Sequence, residues 1–190
     1  GRFLARVCGE SNGNVLLRRM QYRVADDIAP CCRIARNMVF GKVYNARWSI
    51  ERTLRDHPMR INESLLQNAS SILQSALIKI SGAESLESLR GLEGETAAVY
   101  FGVLDEMILH NKSEFYFKER SRRPPLDKVN AMLSFAYALL ENDCASALEA
   151  VGLDSYVGFL HRDKPGRSSL ALDLMEELRP CMADRFVRSE

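Results

Sequence analysis

The chain has 190 residues, of which 46% are apolar and 27% charged, proportions that fit one ordinary globular domain and exclude a disordered or collagen-like chain. No apolar run approaches the roughly 18 residues that a membrane-spanning helix requires, so we expect no membrane insertion. The formal net charge is only +1, which by itself predicts no polyanionic partner.

The small net charge hides a segregation of charge along the chain. Residues 1–60 carry 12 Lys or Arg against 5 Asp or Glu, and residues 61–110 carry 2 against 7. Residues 111–130 are basic again, with 6 against 3, and residues 131–190 are acidic, with 6 against 10. Such alternation is typical of a protein that binds phosphates on some surfaces and a cation at another. On charge alone, solvated helix faces of mixed sign are the preferred explanation, because such surfaces are normal for soluble domains.

The cysteines predict a reducing compartment. They are Cys8, Cys31, Cys32, Cys144 and Cys181, an odd number without a C-x-x-C spacing, which does not suit a disulfide framework. The N-terminal residues lack the long apolar middle of a secretion signal, so we expect a cytoplasmic protein. No His lies at zinc-finger spacing from a Cys, so oxygen and imidazole are the expected ligands of any metal.

The first predicted element is a short strand at residues 3–7, followed by an Asn-Gly turn. A strand without partners is unstable. We therefore interpret residues 1–14 as the remnant of an N-terminal β-sheet domain and residues 15–190 as one α-helical domain.

Helical periodicity dominates the rest of the chain, with Asn62, Asp127 and either Ser168 or Ser169 as N-caps. Gly91 and Gly94 are expected to let two backbones approach closely. The polar, Arg- and Pro-rich segment 111–126 is predicted to be a functional loop. The predicted helices cover residues 34–57, 63–81, 85–90, 91–108, 128–140, 143–151 and 170–178. The fold class predicted is all-α, a multi-helix domain with at most one short strand.

Three acidic residues of the last predicted helix, Asp173, Glu176 and Glu177, fall on one flank at spacings of three and four. Their mutual repulsion costs a few tenths of a kcal/mol per pair, and a bound divalent cation would reverse it. His161 precedes a polar loop, and Glu93 lies in the first turn of a predicted helix. Each feature also has an ordinary structural explanation: a solvated acidic face, a loop histidine and a carboxylate favoured by the helix dipole.

In combination, these segments resemble the CRISPR-associated integrase family called Cas-one. The matching motifs are Leu92-Glu93-Gly94, Gly158-Phe159-Leu160-His161 and Leu172-Asp173-Leu174-Met175-Glu176, in that order. The segments 41–47, 127–134 and 178–180 also resemble the helical domain of the family. The resemblance implies that Glu93, His161 and Glu176 hold one Mg²⁺ or Mn²⁺ ion. Many members have Asp where this chain has Glu176, and Asp173 lies close enough in sequence to share the role.

The activity that the resemblance implies is that of a DNA endonuclease and integrase. The 3′-hydroxyl of a short captured DNA attacks a phosphodiester of a CRISPR repeat, and double-stranded or branched DNA is the expected substrate. The implied partners are a second copy in the full-length protein, the small Cas-two protein and a Cas-four nuclease.

Basic residues are expected to bind the DNA backbone. They are Lys42, Arg47, Lys118, Arg120, Arg122, Arg123, Arg162, Lys164 and Arg167. Two alternatives remain open, a catalytically inactive DNA-binding scaffold and a helix bundle without a nucleic-acid partner.

Overall fold

The computed structural model describes residues 14–189, all of whose regular elements are helices. The predicted strand at residues 3–7 lies outside the described residues. In chain order the helices are α1 (Val15–Asp26), α2 (Ile28–Asp56), α3 (Glu63–Ser81), α4 (Leu86–Gly102), α5 (Lys128–Ala150), α6 (Ser169–Leu178) and α7 (Ala183–Ser189). The predicted all-α class is confirmed, and no helix among these residues is long and apolar enough to cross a membrane.

Helix α2 is the centre of the fold. Its 29 residues make a rod about 43 Å long. Small and branched apolar side chains recur along one stripe, including Ala35, Val39, Val43 and Ile50, each of them nearly inaccessible to solvent. Helices α1, α3, α4 and α6 pack against α2. Side chains of α2 therefore reach elements that are far apart in sequence.

Several predicted boundaries are wrong. The two helices predicted at residues 85–90 and 91–108 are one helix, α4, which ends at Gly102. A Cβ at Gly91 or Gly94 would have no neighbour within 4 Å, so these glycines do not mark a close approach of backbones. The helices predicted at 128–140 and 143–151 likewise form the single helix α5.

Two helices were not predicted. Helix α1 is capped by Asn14, whose side chain accepts hydrogen bonds from the backbone N–H groups of Leu16 and Leu17. Its apolar residues Leu16, Met20 and Val24 have helical spacing, but Leu16 and Met20 are exposed, and the one buried side chain is the polar Gln21. Helix α7 begins soon after Pro180, which follows the end of α6 as expected.

Candidate functional site

Helices α2, α4 and α6 bring Lys42, Glu93 and Glu176 together. The Lys42 ammonium forms an ion pair with Glu93 Oε1, and its Nζ lies 2.6 Å from Glu176 Oε2. The side chains of Lys42 and Glu176 are only 12% and 4% exposed, whereas that of Glu93 is 28% exposed. Two of the three predicted metal ligands therefore meet around one cation, which is supplied by the chain itself.

Glu176 is ionised in spite of its burial. Desolvation disfavours its charged form, but the charges of Lys42, Arg179 and His161 outweigh that effect and lower the pKa of Glu176. Arg179 Nη1 lies 2.5 Å from Glu176 Oε1. Oε2 is buried against the Lys42 ammonium, whose charge and hydrogen bond both lower the pKa of Glu176.

Asp173 is fully buried, and both of its carboxylate oxygens are already occupied. Oδ2 accepts the backbone N–H groups of Phe159 and Leu160 at 2.6 and 2.9 Å. Oδ1 accepts the backbone N–H of His161 at 2.9 Å and lies 2.6 Å from its ring Nδ1. With the imidazole neutral, this contact holds the ring proton on Nδ1 and leaves the lone pair of Nε2 available. Asp173 therefore orients His161.

The segment that carries His161 is fixed by three helices. Arg90 of α4 donates two hydrogen bonds to the Leu160 carbonyl, at 2.9 and 2.7 Å. Gln21 of α1 donates to the carbonyls of Asp154 and Val157. Cys31 of α2 donates through Sγ to the Phe159 carbonyl at 3.1 Å. Arg90, Gln21 and Cys31 therefore position the segment, and no local sequence motif predicts this role for them.

Gly158 permits the close approach of this segment to α6. A Cβ at this position would lie 2.8 Å from Ser169 Cβ and 3.0 Å from Asp173 Oδ2. Ser169 is the first residue of α6 and is itself buried, so it has little room to move. The glycine of the Gly158–His161 motif is therefore required by packing.

In residues 14–189, no three His, Cys, Asp or Glu side chains converge as a group that is ready to hold a metal ion. Lys42 stands between Glu93 and Glu176, and Asp173 is committed to its hydrogen bonds. His161 is close enough to Glu176 for its charge to influence the carboxylate. The predicted ligands thus share one region, with an ammonium at its centre.

An arginine-lined cleft of about 560 Å³ lies against α5 and α6. Four of the predicted nucleic-acid-binding residues line it, together with the side chain of Arg179, which pairs with Glu176. The four are Arg120, Arg122, Arg123 and Arg167. The cleft is connected to Glu176 through Arg179, and such a concentration of guanidinium groups suits the binding of a phosphate backbone.

The other predicted DNA-binding residues lie elsewhere. Arg162 and Lys164 are exposed on the loop after His161, and Lys118 lies over the ring of Tyr116. Arg47 pairs with Glu51 and lines a different groove. Lys42 contacts the carboxylates, so its expected role as a phosphate contact does not match this arrangement.

Tyr137 of α5 links the cleft to the protein core. The guanidinium carbons of Arg179 and Arg120 lie 4.6 and 5.4 Å from the centre of its ring. Its hydroxyl donates a hydrogen bond of 2.5 Å to Asp184, a fully buried carboxyl whose pKa is raised by burial. Tyr137 therefore supports Arg179 and, through Arg179, the position of Glu176.

The sequence matches a known protein family over nearly its whole length. The model of the family described as CRISPR associated protein Cas1 matches residues 1–189. The chain belongs to the Cas1 family. The CRISPR-associated endonuclease Cas1 2 of Rhodospirillum rubrum is 52% identical over 193 residues, and Cas1 1 of Chlorobaculum tepidum is 49% identical over 189 residues. Both alignments cover 100% of this chain and 55% of the relative, so the chain spans about half the length of these Cas1 proteins.

Solved structures share the fold. A casposase bound to its integration product matches with a TM-score of 0.80 and 26% identity, covering 98% of this chain and 50% of the casposase. The partial Cas6-RT-Cas1–Cas2 complex matches with a TM-score of 0.79 and 26% identity, covering 100% of this chain and 55% of the other. The predicted resemblance to the Cas1 family is thereby confirmed.

Proposed function

We propose that this chain is the catalytic helical part of a divalent-metal-dependent DNA endonuclease and integrase that acts in CRISPR adaptation. The observation that supports the proposal most directly is the meeting of Glu93 and Glu176 around one cation, beside a cleft lined by arginines. The casposase neighbour is described as bound to an integration product, and the curated relatives are named endonucleases.

The residues present fit a divalent cation. Glu176 and Glu93 already bind one cation between them, the Lys42 ammonium, and their carboxylate oxygens are the kind of ligand that Mg²⁺ and Mn²⁺ prefer. Asp173 keeps the Nδ1 side of His161 occupied, so Nε2 is the ring atom that is free to act as a ligand. Glu93, His161 and Glu176 are therefore the proposed ligands. When bound, Mg²⁺ or Mn²⁺ would polarise the target phosphodiester and neutralise charge that develops during the reaction.

The proposed reaction is a transesterification. The 3′-hydroxyl oxygen of a short DNA forms a new bond to a backbone phosphorus, and the bond from that phosphorus to its own 3′ oxygen breaks. The attacking hydroxyl gives up one proton, and the departing oxygen takes one up. No covalent bond to the protein is formed. Because both strands are polyanionic, Arg122, Arg123 and Arg167 are proposed to hold the phosphates that flank the reacting one. The guanidinium of Arg120 is already hydrogen-bonded within the protein, to Ser121, Asn130 and Ser134.

The proposed protein partners and cellular compartment each rest on a single kind of finding. A Cas2 partner is supported by the solved Cas1–Cas2 complexes among the structural neighbours. A Cas4 nuclease is supported by a 38% identical relative of Geobacter sulfurreducens, which is named a Cas4/Cas1 fusion. The predicted homodimer of the longer protein remains a proposal. Four free cysteines in the described residues support a reducing, cytoplasmic setting.

The competing function is a DNA-binding scaffold without activity, which is favoured by Lys42 in the place where a metal would interact with both carboxylates. Branched DNA separates the two. With Mn²⁺, the nuclease proposal expects cleavage or strand joining that disappears in Glu93→Ala. Binding that does not depend on Mn²⁺, without any DNA product from the wild-type chain, would favour the scaffold.

A further inference from the structure

The ammonium of Lys42 is shared by two carboxylates from different helices. It forms an ion pair with Glu93 of α4, and its Nζ is 2.6 Å from Glu176 of α6. The carboxylates are 83 residues apart in sequence and meet because both helices pack against α2. Lys42 is thus the cation that holds together the two residues to which we assign the metal.

The site requires a cation in its metal-free state. Arg179 reaches Oε1 of Glu176, whereas the buried Oε2 lies against the Lys42 ammonium at 2.6 Å. Without Lys42, that oxygen would face Glu93 with no positive charge between them, and two like charges at short range, one of them buried, disfavour the folded state. The lysine therefore performs in the free protein the electrostatic task that a metal ion performs in the loaded one.

Lysine suits a temporary cation better than arginine does. Its charge is compact, it sits on a flexible stem of four carbons, and it does not form the rigid bidentate geometry of a guanidinium. Arg179, by contrast, is held over the Tyr137 ring at 4.6 Å and is expected to stay with Glu176. The two cations that contact Glu176 therefore differ in mobility.

We propose that Lys42 competes with the divalent metal for Glu93 and Glu176, so that the metal binds only when the Lys42 side chain leaves. This inference rests on the metal site proposed above and adds a regulatory role to a residue of that site. Because the two occupants exclude each other, the free energy of the Lys42 ion pairs is subtracted from metal affinity. A group that draws the ammonium away from the carboxylates, such as a nucleic-acid phosphate, strengthens metal binding. By linkage, the bound metal strengthens the binding of that group by the same factor.

The test is the Mn²⁺ affinity of the 190-residue chain, measured from the electron paramagnetic resonance signal of free Mn²⁺ at fixed pH and salt. Lys42→Met removes the competing charge and retains a flexible side chain of similar length. We expect it to bind Mn²⁺ about tenfold more tightly than the wild type, within the usual range of coupling between interactions at one site. Lys42→Gln, whose amide carries no charge, should show the same direction and serves if the Met variant does not fold.

Two further variants make the test specific. Lys79→Met makes the same chemical change at an exposed position of α3 and should leave Mn²⁺ affinity within about twofold of the wild type, since its charge is solvated and screened. Glu93→Ala removes a proposed ligand and should weaken binding in either background. Melting gives a second readout: metal-free Lys42→Met should unfold at a lower temperature than the wild type, and Mn²⁺ should raise its Tm by more.

The outcomes for Lys42 and for the metal site are separable. Tighter binding in Lys42→Met than in the wild type, including the case in which the wild type binds too weakly to measure, supports the competition, provided that Glu93→Ala abolishes it. Unchanged or weaker binding in both Lys42 variants, at a site that still requires Glu93, overturns the competition and leaves the metal site intact. Binding that is indifferent to Glu93 overturns the metal site itself.

Discussion

The separation of roles between Asp173 and Glu176 gives the sharpest mutational prediction. The perturbation is Asp173→Asn, which changes one carboxylate oxygen into an amide nitrogen without altering size. If the amide nitrogen takes the Oδ2 position, the N–H groups of both Phe159 and Leu160 lose their acceptor. If it takes the Oδ1 position, only the backbone N–H of His161 loses its acceptor. The His161 ring keeps its contact, because its proton can move to Nε2 and Nδ1 can then accept a hydrogen bond from the amide.

The second arrangement is therefore favoured, and its cost can be worked out. One buried N–H without an acceptor costs about 1–3 kcal/mol, and the two remaining bonds lose the strengthening that a charged acceptor gives. We expect the free energy of unfolding to fall by about 2–4 kcal/mol. In a domain of this size, that lowers Tm by roughly 5–12 °C. The same rearrangement puts a proton on Nε2, so the variant should also lose Mn²⁺ affinity.

The assay is urea unfolding of the metal-free chain followed by circular dichroism, with Glu177→Gln as the matched control. Glu177 lies on the same helix and is exposed, so its change should cost less than about 0.5 kcal/mol. An Asp173→Asn variant as stable as that control would refute the assignment of Asp173 as the residue that orients the loop and His161.

Three other changes test separate parts of the structure. Gly158→Ala should lower the free energy of unfolding by about 1–3 kcal/mol in urea titrations, because its Cβ would overlap Ser169. Gly94→Ala, whose Cβ would have no neighbour within 4 Å, should raise it by about 0.5–1 kcal/mol. Similar effects at both positions would be inconsistent with the packing described. Burial raises the pKa of Asp184 above its ordinary value of 3.8, so the folded state binds this proton more tightly than the unfolded state and the contribution of Asp184 to stability falls as pH rises past that value. The stability advantage of the wild type over Asp184→Asn should therefore shrink between pH 4 and pH 7, and an advantage that grows would contradict the raised pKa. Arg122→Gln should weaken DNA binding and lower the dependence of DNA affinity on salt by about one phosphate contact. Arg55→Gln, outside the arginine cleft, should leave that salt dependence unchanged in fluorescence anisotropy titrations. Equal salt dependence in both variants would argue against the cleft as the DNA site.

The sequence was most informative where local periodicity and caps determine structure. Asn62 and Asp127 each accept a hydrogen bond from a backbone N–H of the first turn that follows, as expected of N-caps. Periodicity placed false breaks inside α4 and α5. In α4 the break was placed at Gly91, a residue that is tolerated inside a helix whose packing supplies the missing stability. Helix α1 was predictable from the spacing of Leu16, Met20 and Val24, whereas the hydrogen bonds of its buried Gln21 to a distant loop were not.

The site was predictable only as a set of candidate residues. Glu93, His161 and Glu176 were identified by resemblance to a family, and their environment depends on contacts between distant segments. Lys42 and Glu93 are 51 residues apart, and Arg90 is 70 residues from the Leu160 carbonyl that it holds. No spacing rule covers such separations, so the occupation of the site by Lys42 could be found only from the packed helices.

The central claim is that Glu93, His161 and Glu176 hold one divalent cation. The most direct test is anomalous diffraction from crystals of the chain soaked in Mn²⁺. The account predicts one peak within coordination distance of Glu93, Glu176 and Nε2 of His161, with the Lys42 side chain displaced and Asp173 still bonded to the loop. A peak coordinated by Asp173 in place of Glu176, or a site at which Lys42 still bridges Glu93 and Glu176 at saturating Mn²⁺, would contradict it.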